Sequence, residues 1–464
     1  MGAHASGRAP WDGVAMSALA SVASAVFWGA LVLSVLVFVH ELGHYLAARF
    51  FGMRVTEFFL GMPCRLKLSY KSRTRGTEIG VTPVLLGGYT RICGMEGSQD
   101  ELLAPCLGLV QSWGGCTPSE VAVRLGIDEE RALSLLLTLS DWASIRDCGG
   151  GERFETLPRD ADMLTEYDRG HDLSAAGSTT AGAARPIAGD LKEFLAAERG
   201  RTYLGHGFIS RVLVLVAGPA LNVLLALLIV TFSLSALGVE VAENTNVMGS
   251  VSEGGYAWEA GVRPGDKVIS IDGAPVDDWS SIVARLHELL PQGKDLKIRV
   301  ISSGEERDLV VDLPDGQPVD VIGIAPPTLM RRLALGEAFR AALRYAAAVG
   351  EGALRLITPR YSLETLKGTS SVVGISAMAS KAASQGPNSL LLFAAVISLS
   401  LGFMNLLPIP PLDGGKVAIE LVQLIVRRPL SVRVQNAVSY VGLALFLALF
   451  VFALRNDIGS ILAG

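Results

Sequence analysis

The feature that most constrains this chain is a set of long runs without a charged residue. The first extends from Gly13 to Val39 and holds 27 uncharged residues. Three more runs hold 28, 31 and 21 uncharged residues and lie between Arg211 and Glu240, Lys381 and Asp413, and Arg433 and Arg455. About 20 apolar residues in a helix suffice to cross a bilayer. The sequence therefore predicts a polytopic α-helical membrane protein with about four membrane segments.

The composition of the 464-residue chain agrees with a membrane protein, since 50% is hydrophobic and 18% is charged, against roughly 25% charged in soluble domains. A secretory signal peptide is the alternative for the first run. Its apolar part would span only about 7–15 residues, whereas this run continues into titratable side chains. We place the membrane segments in the regions 13–50, 210–238, 386–427 and 431–456, with prolines interrupting the third.

Arginines beside the segment ends predict the orientation. They follow the first segment, precede the second, and lie between the third and the fourth, and such residues favour the cytoplasmic side. The amino terminus and residues 240–385 would then lie outside, and residues 50–208 inside. All five cysteines fall in the inside region, where thiols stay reduced. A zinc cluster built from them is not expected, because no CxxC pair occurs.

The first apolar run ends in VLVFVHELGHYLAARFFG, residues 35–52, which places His40, Glu41 and His44 in a membrane helix. Ionisable residues there are costly and usually functional. Histidines four positions apart share a helix face and can bind one metal ion, with the glutamate beside its open position. In zinc peptidases the metal lowers the pKa of a bound water and the glutamate takes its proton. The alternative is a chance occurrence of HExxH on a polar soluble helix, and the apolar run around this motif argues against it.

A third metal ligand must come from elsewhere, because catalytic zinc takes three protein ligands plus water. Asp413 ends the third apolar run in GFMNLLPIPPLDGGKVAIEL, and its carboxylate is an acceptable zinc ligand. The prolines before it break the helix and free backbone groups that must line something other than lipid. Asn405 adds an amide nearby. The alternative is a membrane-edge turn made of proline and Asp-Gly.

Three motifs in this order resemble the intramembrane site-two metalloproteases, and specifically the bacterial regulator-of-sigma-E protease group. They are HELGH in the first segment, AGPALN at 217–222 and NLLPIPPLDGG at 405–415. The resemblance extends over most of the chain. It implies an integral protein of a bacterial inner or plasma membrane whose active site lies near the cytoplasmic side.

The resemblance also implies the roles of individual residues. It assigns one Zn²⁺ ion to three ligands, which are His40, His44 and Asp413. Glu41 inherits the catalytic role. Asn405 matches an asparagine expected to hold the substrate backbone, and Asn222 is a weaker candidate for contact with the substrate helix.

Residues 52–95 alternate apolar and polar side chains between glycines and prolines, which favours strands. They resemble the membrane-associated β-hairpin of this family, with Gly87 and Gly88 in an LGGY turn that would contact the substrate. An exposed strand edge there could pair with unwound substrate, because peptide hydrolysis needs extended backbone. An ordinary small cytosolic sheet is the alternative.

Residues 241–325 resemble an extracytoplasmic PDZ domain of α+β structure, with AGVRPGD, a short strand VISIDG and a helix from Trp279 to Leu290. Such a domain either binds a peptide or protein by adding a strand, or filters substrates by size. The sequence does not choose between these roles. The region 330–385 is interpreted as amphipathic and connecting, with a helix on the membrane surface or a plain packing helix as the two options.

Residues 101–157 resemble a winged-helix domain inserted on the cytoplasmic side, with helices at 119–124 and 128–140 and a wing at Gly149–Gly151. Region 101–199 holds nine Lys and Arg against 17 Asp and Glu, a balance of −8. Phosphate repulsion therefore argues against nucleic-acid binding. A contact for a cytoplasmic regulator is favoured instead. Residues 158–205 are predicted to be a linker, and the part from Pro158 to Arg185 is predicted to be flexible because its residues are polar and small.

These features together predict a zinc-dependent intramembrane endopeptidase acting within or near the membrane span of single-pass proteins, such as an anti-sigma factor, in regulated intramembrane proteolysis. The alternative is a membrane receptor or signalling scaffold that uses PDZ and winged-helix modules with a structural metal site. The glutamate favours the enzyme, because a structural site has no need of Glu41. A metal-dependent transporter fits poorly, since no paired repeats occur.

Overall fold

The computed structural model describes residues 11–85, 87–95, 100–314, 317, 319–356, 371–427 and 432–463. The chain divides into two compact units, one formed by Met1–Val230 with Ala341–Gly464 and the other by Thr231–Arg340. Of the predicted 330–385 region, residues 357–370 lie outside the described part, as do 428–431 at the start of the fourth predicted membrane segment.

Helices make up most of the larger unit, whereas the smaller unit combines eight short strands with short helices. The helices are α1 (Trp11–Phe51), α2 (Leu103–Trp113), α3 (Pro118–Leu125), α4 (Glu129–Asp141), α5 (Leu191–Arg199), α6 (Phe208–Phe232), α7 (Tyr256–Glu259), α8 (Trp279–Leu289), α9 (Leu335–Leu356), α10 (Val372–Ser384), α11 (Pro387–Asn405), α12 (Asp413–Val426) and α13 (Val432–Ala463). The strands are β1 (Val55–Leu60), β2 (Leu68–Lys71), β3 (Glu78–Val81), β4 (Gly88–Ile92), β5 (Gly115–Cys116), β6 (Ile145–Asp147), β7 (Phe154–Thr156), β8 (Val239–Ala242), β9 (Ser250–Val251), β10 (Lys267–Ile271), β11 (Ala274–Pro275), β12 (Leu296–Ser302), β13 (Glu305–Val311), β14 (Ile324–Ala325) and β15 (Thr328–Arg331).

Three stretches of helix among the described residues are long and apolar enough to cross a membrane. They are Leu19–Phe51, Phe208–Leu237 and Pro387–Asn405. A helix suits lipid because it satisfies its backbone hydrogen bonds within one segment. These stretches overlap the first three predicted segments. The fourth, 431–456, overlaps α13 except at residue 431, which lies outside the described part, and its position in a membrane stays a prediction.

A four-stranded mixed sheet follows α1, in the order β2-β3-β1-β4. Strand β1 pairs with β3 in parallel and with β4 in antiparallel fashion. Phe58 of β1 and Tyr45 of α1 belong to one buried apolar cluster, so the sheet packs on the helix that carries the histidines. The hairpin predicted at 52–95 was therefore too simple: β2 and β3 form a hairpin, and the other two strands extend it into a sheet.

Residues 100–205, here called the insertion, contain four α-helices, α2 to α5, and a three-stranded sheet of order β5-β7-β6. Thr117 caps α3 through a capping box with Glu120, and Asp128 caps α4. Gly126 ends α3 at φ 67°, a left-handed conformation that favours glycine. The predicted helix at 119–124 lies within α3, and the one at 128–140 overlaps α4 from residue 129 onward. The sequence did not predict α2, and the winged-helix assignment stays a prediction.

The segment 158–187, predicted to be a flexible linker, is irregular but packed. Arg159, Thr165 and Asp168 in it are buried, and the backbone N–H of Thr179 donates to the carbonyl of Arg159 at 2.8 Å. Helix α5 then follows in the region of the same prediction. The linker prediction was wrong because composition alone does not reveal that polar residues find buried partners elsewhere in the fold.

A buried group of charged side chains holds the insertion against the sheet. The Arg54 guanidinium contacts Asp168 at 2.7 Å and Glu198 at 2.8 Å. Arg159 contacts Glu198 at 3.0 Å. These four residues, here called the ion cluster, join the start of the sheet to two distant parts of the insertion. The charge and hydrogen bonds of Arg54 hold the pKa of the Asp168 and Glu198 carboxyls below their usual range, against the opposing effect of burial.

The smaller unit has a sheet of order β11-β10-β12-β13 and two short strand pairs, β9 with β14 and β8 with β15. Its core includes Val268, Ile282 and Ile298. Helix α8, capped by Asp278, matches the predicted helix from Trp279. The PDZ assignment of 241–325 stays a prediction, and so does a membrane-surface position for α9.

Candidate metal centre

Three metal-ligating side chains converge in the larger unit. His40 and His44 lie one turn apart on α1, and Asp413 is the first residue of α12. Asp413 Oδ2 lies 3.0 Å from His40 Nε2 and 3.2 Å from His44 Nε2, and the two Nε2 atoms are 3.2 Å apart. Both histidines are buried. In the part of the chain that the structure describes, this is the group of three such side chains close enough to share an ion.

These distances fit a zinc ion. A Zn–N bond of about 2.0–2.1 Å places the ligand atoms of a tetrahedral site about 3.3 Å apart, close to the separations of 3.0–3.2 Å found here. His44 Nδ1 lies 2.8 Å from the carbonyl oxygen of Val214, to which it can only donate. The proton is therefore on Nδ1, and the Nε2 lone pair points towards the other two ligand atoms.

Asn222 of α6 supports the other histidine. Its side-chain nitrogen is 3.4 Å from His40 Nδ1, and its buried Oδ1 has no hydrogen-bond partner among the described residues. If this amide is turned by 180°, Asn222 Oδ1 accepts a hydrogen bond from the Nδ1–H of His40. A neutral His40 that binds a metal through Nε2 carries its proton on Nδ1 and so needs this acceptor. Ser398 of α11 donates to the Asn222 carbonyl at 2.8 Å. Asn222 is fully buried beside His40, and its predicted contact with the substrate stays a prediction.

Two glycines explain why their motifs have this composition. A Cβ at Gly218, in AGPALN, would lie 2.4 Å from His44 Nε2, so only glycine lets α6 approach the histidine. A Cβ at Gly88 would lie 2.9 Å from the Phe59 carbonyl oxygen and 3.3 Å from Glu41 Cγ. Close approach of backbone is a common reason for glycine.

Strand β4 therefore lies directly against Glu41. The Thr90 hydroxyl of this strand also donates to the Glu41 carbonyl at 3.0 Å. The Gly87 carbonyl accepts from the Gly61 N–H at 2.7 Å, which anchors the turn before β4. The side chain of Glu41 is half-buried, so it remains within reach of a reacting group.

The remaining predicted residue, Asn405, is the last residue of α11 and half-buried. It precedes the proline-rich turn that leads to Asp413. Sequence reasoning missed Val214, because a backbone carbonyl can come from any residue and leaves no signal. It also missed the ion cluster, whose members carry no motif.

Comparison with known proteins identifies the family of the chain. The model of peptidase family M50 matches residues 28–449. The zinc metalloprotease RasP of Geobacillus kaustophilus is 27% identical over 446 residues, which cover 92% of this chain and 96% of the relative. The regulator of sigma-W protease RasP of Bacillus subtilis is 26% identical over 441 residues, with shares of 92% and 96%. The probable protease eep of Enterococcus faecalis is 26% identical over 445 residues, with shares of 92% and 97%.

The match to the family covers most of the chain, including both HELGH and Asp413. Membrane-length helices, the zinc-compatible geometry and relatives named as zinc metalloproteases agree with one another. The chain therefore belongs to peptidase family M50 and is a zinc-dependent intramembrane metalloprotease.

Proposed function

We propose that His40, His44 and Asp413 hold one Zn²⁺ ion and that the chain hydrolyses peptide bonds within or near the membrane span of single-pass proteins. One observation carries the assignment of the ligands. Three ligand atoms from residues up to 373 positions apart in sequence meet within 3.0–3.2 Å, beside an apolar helix of membrane length. Groups that are costly in such a place are usually functional.

Zinc, when bound, supplies Lewis acidity that polarises the peptide carbonyl and activates water. Glu41 takes the proton of the attacking water and delivers it to the leaving amine, as a general base and then a general acid. Val214 and Asn222 fix the rings of the two histidines through their Nδ1 atoms. These contacts keep both Nε2 lone pairs directed at the ion.

Strand β4 presents the substrate. It is an outer strand of the sheet order β2-β3-β1-β4, and Gly88 at its start lies against Glu41. An unwound substrate segment adds to this edge as a further strand, which exposes its amides to attack. Gly87 and Asn405, the latter at the end of α11, hold its backbone on either side of the reacting bond.

The other modules act on access and regulation. The smaller unit is an extracytoplasmic PDZ domain that binds a peptide or excludes large substrates, while the insertion is a cytoplasmic winged-helix module for a protein regulator. The name of the Bacillus subtilis relative, regulator of sigma-W protease, supports a membrane-bound anti-sigma factor as the substrate class. The arginines beside the segment ends support an active site near the cytoplasmic side of a bacterial inner or plasma membrane.

Cleavage of a panel of tagged single-pass membrane proteins by the purified full chain tests this proposal. Glu41→Gln should lower the cleavage rate by about 10²–10⁴-fold, the usual contribution of a general base, and should keep its zinc. The exposed Glu101→Gln serves as the charge-matched control and should cleave normally. Equal cleavage by wild type and Glu41→Gln, or none by either despite bound zinc, would favour the receptor with a structural metal site.

A further inference from the structure

A cavity of about 930 Å³ lies between α1 and α6, next to the metal centre but on another face of α1. One wall of the cavity is apolar and is formed by Leu46 and Phe50 of α1 and by Leu221 and Leu224 of α6. Leu46, Phe50 and Leu224 are exposed. Large exposed apolar side chains on helices of membrane length face lipid chains rather than water.

The cavity is also lined by three arginines, Arg49, Arg75 and Arg169, here called the arginine rim. They come from the end of α1, from the loop before β3 and from the insertion. Arg49 donates to the Tyr167 carbonyl at 2.8 Å, and Arg169 donates to the Arg49 carbonyl at 2.6 Å. Arg75 donates to the Tyr45 hydroxyl at 3.3 Å.

None of these three arginines forms an ion pair with a carboxylate of the described residues, since all their recorded acceptors are neutral oxygens. Asp168 is the acid next to Arg169 in sequence, but its carboxylate is bound by Arg54 at 2.7 Å. Arg49 is only 6% exposed. A buried guanidinium beside two like charges is unfavourable unless an anion compensates it. The rim therefore needs a counter-charge, and the described part of the protein does not supply one.

The position of the rim indicates where this anion comes from. Arg49 lies near the end of the membrane-length stretch Leu19–Phe51, and the end of a membrane-spanning helix is where lipid headgroups are expected. Guanidinium groups match phosphate oxygens in a two-pronged geometry. Basic pockets between membrane helices are a known form of anionic headgroup site.

We propose that this cavity binds an anionic phospholipid, with its phosphate on the arginine rim and its acyl chains along the wall formed by α1 and α6. The lipid would join three parts of the chain, namely the end of α1, the loop at Arg75 and the insertion at Arg169. Since α1 carries both histidines, a bound lipid would stabilise the position of the helix that holds His40 and His44. This inference concerns lipid binding and does not rest on the proposed substrate or cleavage mechanism.

Native mass spectrometry of the full chain in an uncharged detergent tests the proposal. Phosphatidylglycerol and phosphatidylcholine with identical acyl chains serve as probes, and inorganic phosphate as a third. Wild type should retain phosphatidylglycerol in preference to both others. Arg75→Gln with Arg169→Gln should weaken this binding by about 25-fold, because one arginine near an anionic membrane is worth about fivefold.

The matched control is Arg73→Gln with Arg124→Gln, which removes two exposed arginines that do not line the cavity and should bind like wild type. Arg75→Gln alone should weaken binding about fivefold, and it covers the case in which loss of Arg169 unfolds the insertion. Equal retention of the two lipids by wild type, or unchanged retention by Arg75→Gln, would overturn the proposal. Saturation by inorganic phosphate at the same concentration would also overturn it, in favour of a free-anion site.

Discussion

Two buried groups of polar side chains in the larger unit differ in their charge balance. The metal centre contains two imidazoles and a carboxylate whose ligand atoms meet within 3.2 Å. All three groups offer lone pairs at the same point, and the carbonyl at His44 Nδ1 keeps the proton on the far side of that ring. Such a group is incomplete by itself and requires a cation.

The ion cluster is complete without any ligand. Arg54 and Arg159 face Asp168 and Glu198 with contacts of 2.7–3.0 Å. The partly exposed Arg201 also contacts Glu198, at 2.9 Å, so both buried carboxylates are paired with arginines. Burial of charge is tolerated where charges are paired and their hydrogen bonds are satisfied. The comparison teaches that burial of charged groups alone does not identify a functional site, whereas an excess of converging lone pairs does.

The largest effect on stability should come from unbalancing the ion cluster. Arg54→Met leaves two buried carboxylates short of a partner, so we expect the free energy of unfolding of the insertion to fall by about 3–5 kcal/mol, with zinc content unchanged. Hydrogen–deuterium exchange over residues 103–199 measures the change. Arg131→Met, which breaks an exposed pair with Asp100 at 3.0 Å, is the control and should have little effect. Loss of zinc in Arg54→Met would contradict the separation of the two groups.

A smaller effect should follow from removing support for one zinc ligand. Asn222→Ala leaves His40 Nδ1–H without its acceptor, so zinc affinity should fall about 10–100-fold while exchange in the insertion stays as in wild type. Competition with a zinc chelator measures the affinity. Asn222→Asp keeps an acceptor oxygen at this position and should lose less. If Asn222→Ala binds zinc as tightly as wild type, Asn222 does not support His40, and a contact with the substrate becomes the better explanation for this residue.

The smallest effect should come from lowering the pH from neutral, which should change the stability of the ion cluster little until the pH falls below about 4. Arg54 holds the pKa of the Asp168 and Glu198 carboxyls below their usual range although burial opposes it. Their stabilising contribution is therefore complete above the ordinary pKa of about 4 and is lost as the pH falls further through the lowered values. Protection of the insertion against hydrogen exchange should stay constant from about pH 7 to 5 and fall only below about 4. Loss of protection near pH 6 would show that other groups control its docking.

The three converging side chains of the candidate metal centre could be picked out from the sequence because much of their chemistry is local. HELGH places two ligands on one helix face, and an acid after a broken apolar run is a conspicuous third candidate. No spacing rule could bring Asp413 to His40 across 373 positions, and the resemblance supplied that step. The carbonyl of Val214 could not be predicted, because it depends only on how α6 packs against α1.

The sequence failed where pairing is non-local. Residues 158–187 have the composition of a linker, yet Arg159 and Asp168 are buried in them because Arg54 and Glu198 lie across the fold. In the same way, the strand pattern at 52–95 was correct, but the parallel pairing of β1 with β3 turned a predicted hairpin into a sheet. Local patterns predict elements, whereas the partners of those elements depend on the tertiary structure.

The zinc content of purified wild type, Asp413→Ala and Glu420→Gln, measured after dialysis against a weak chelator, tests the central claim most directly. Glu420 is the matched control, because it is a buried acid on the same helix as Asp413 but is paired with Arg211 at 3.1 Å. Wild type and Glu420→Gln should each keep about one zinc per chain, as expected for a catalytic site with three protein ligands, and Asp413→Ala should lose it. Full zinc retention by Asp413→Ala would show that the converging side chains are not the ligand set.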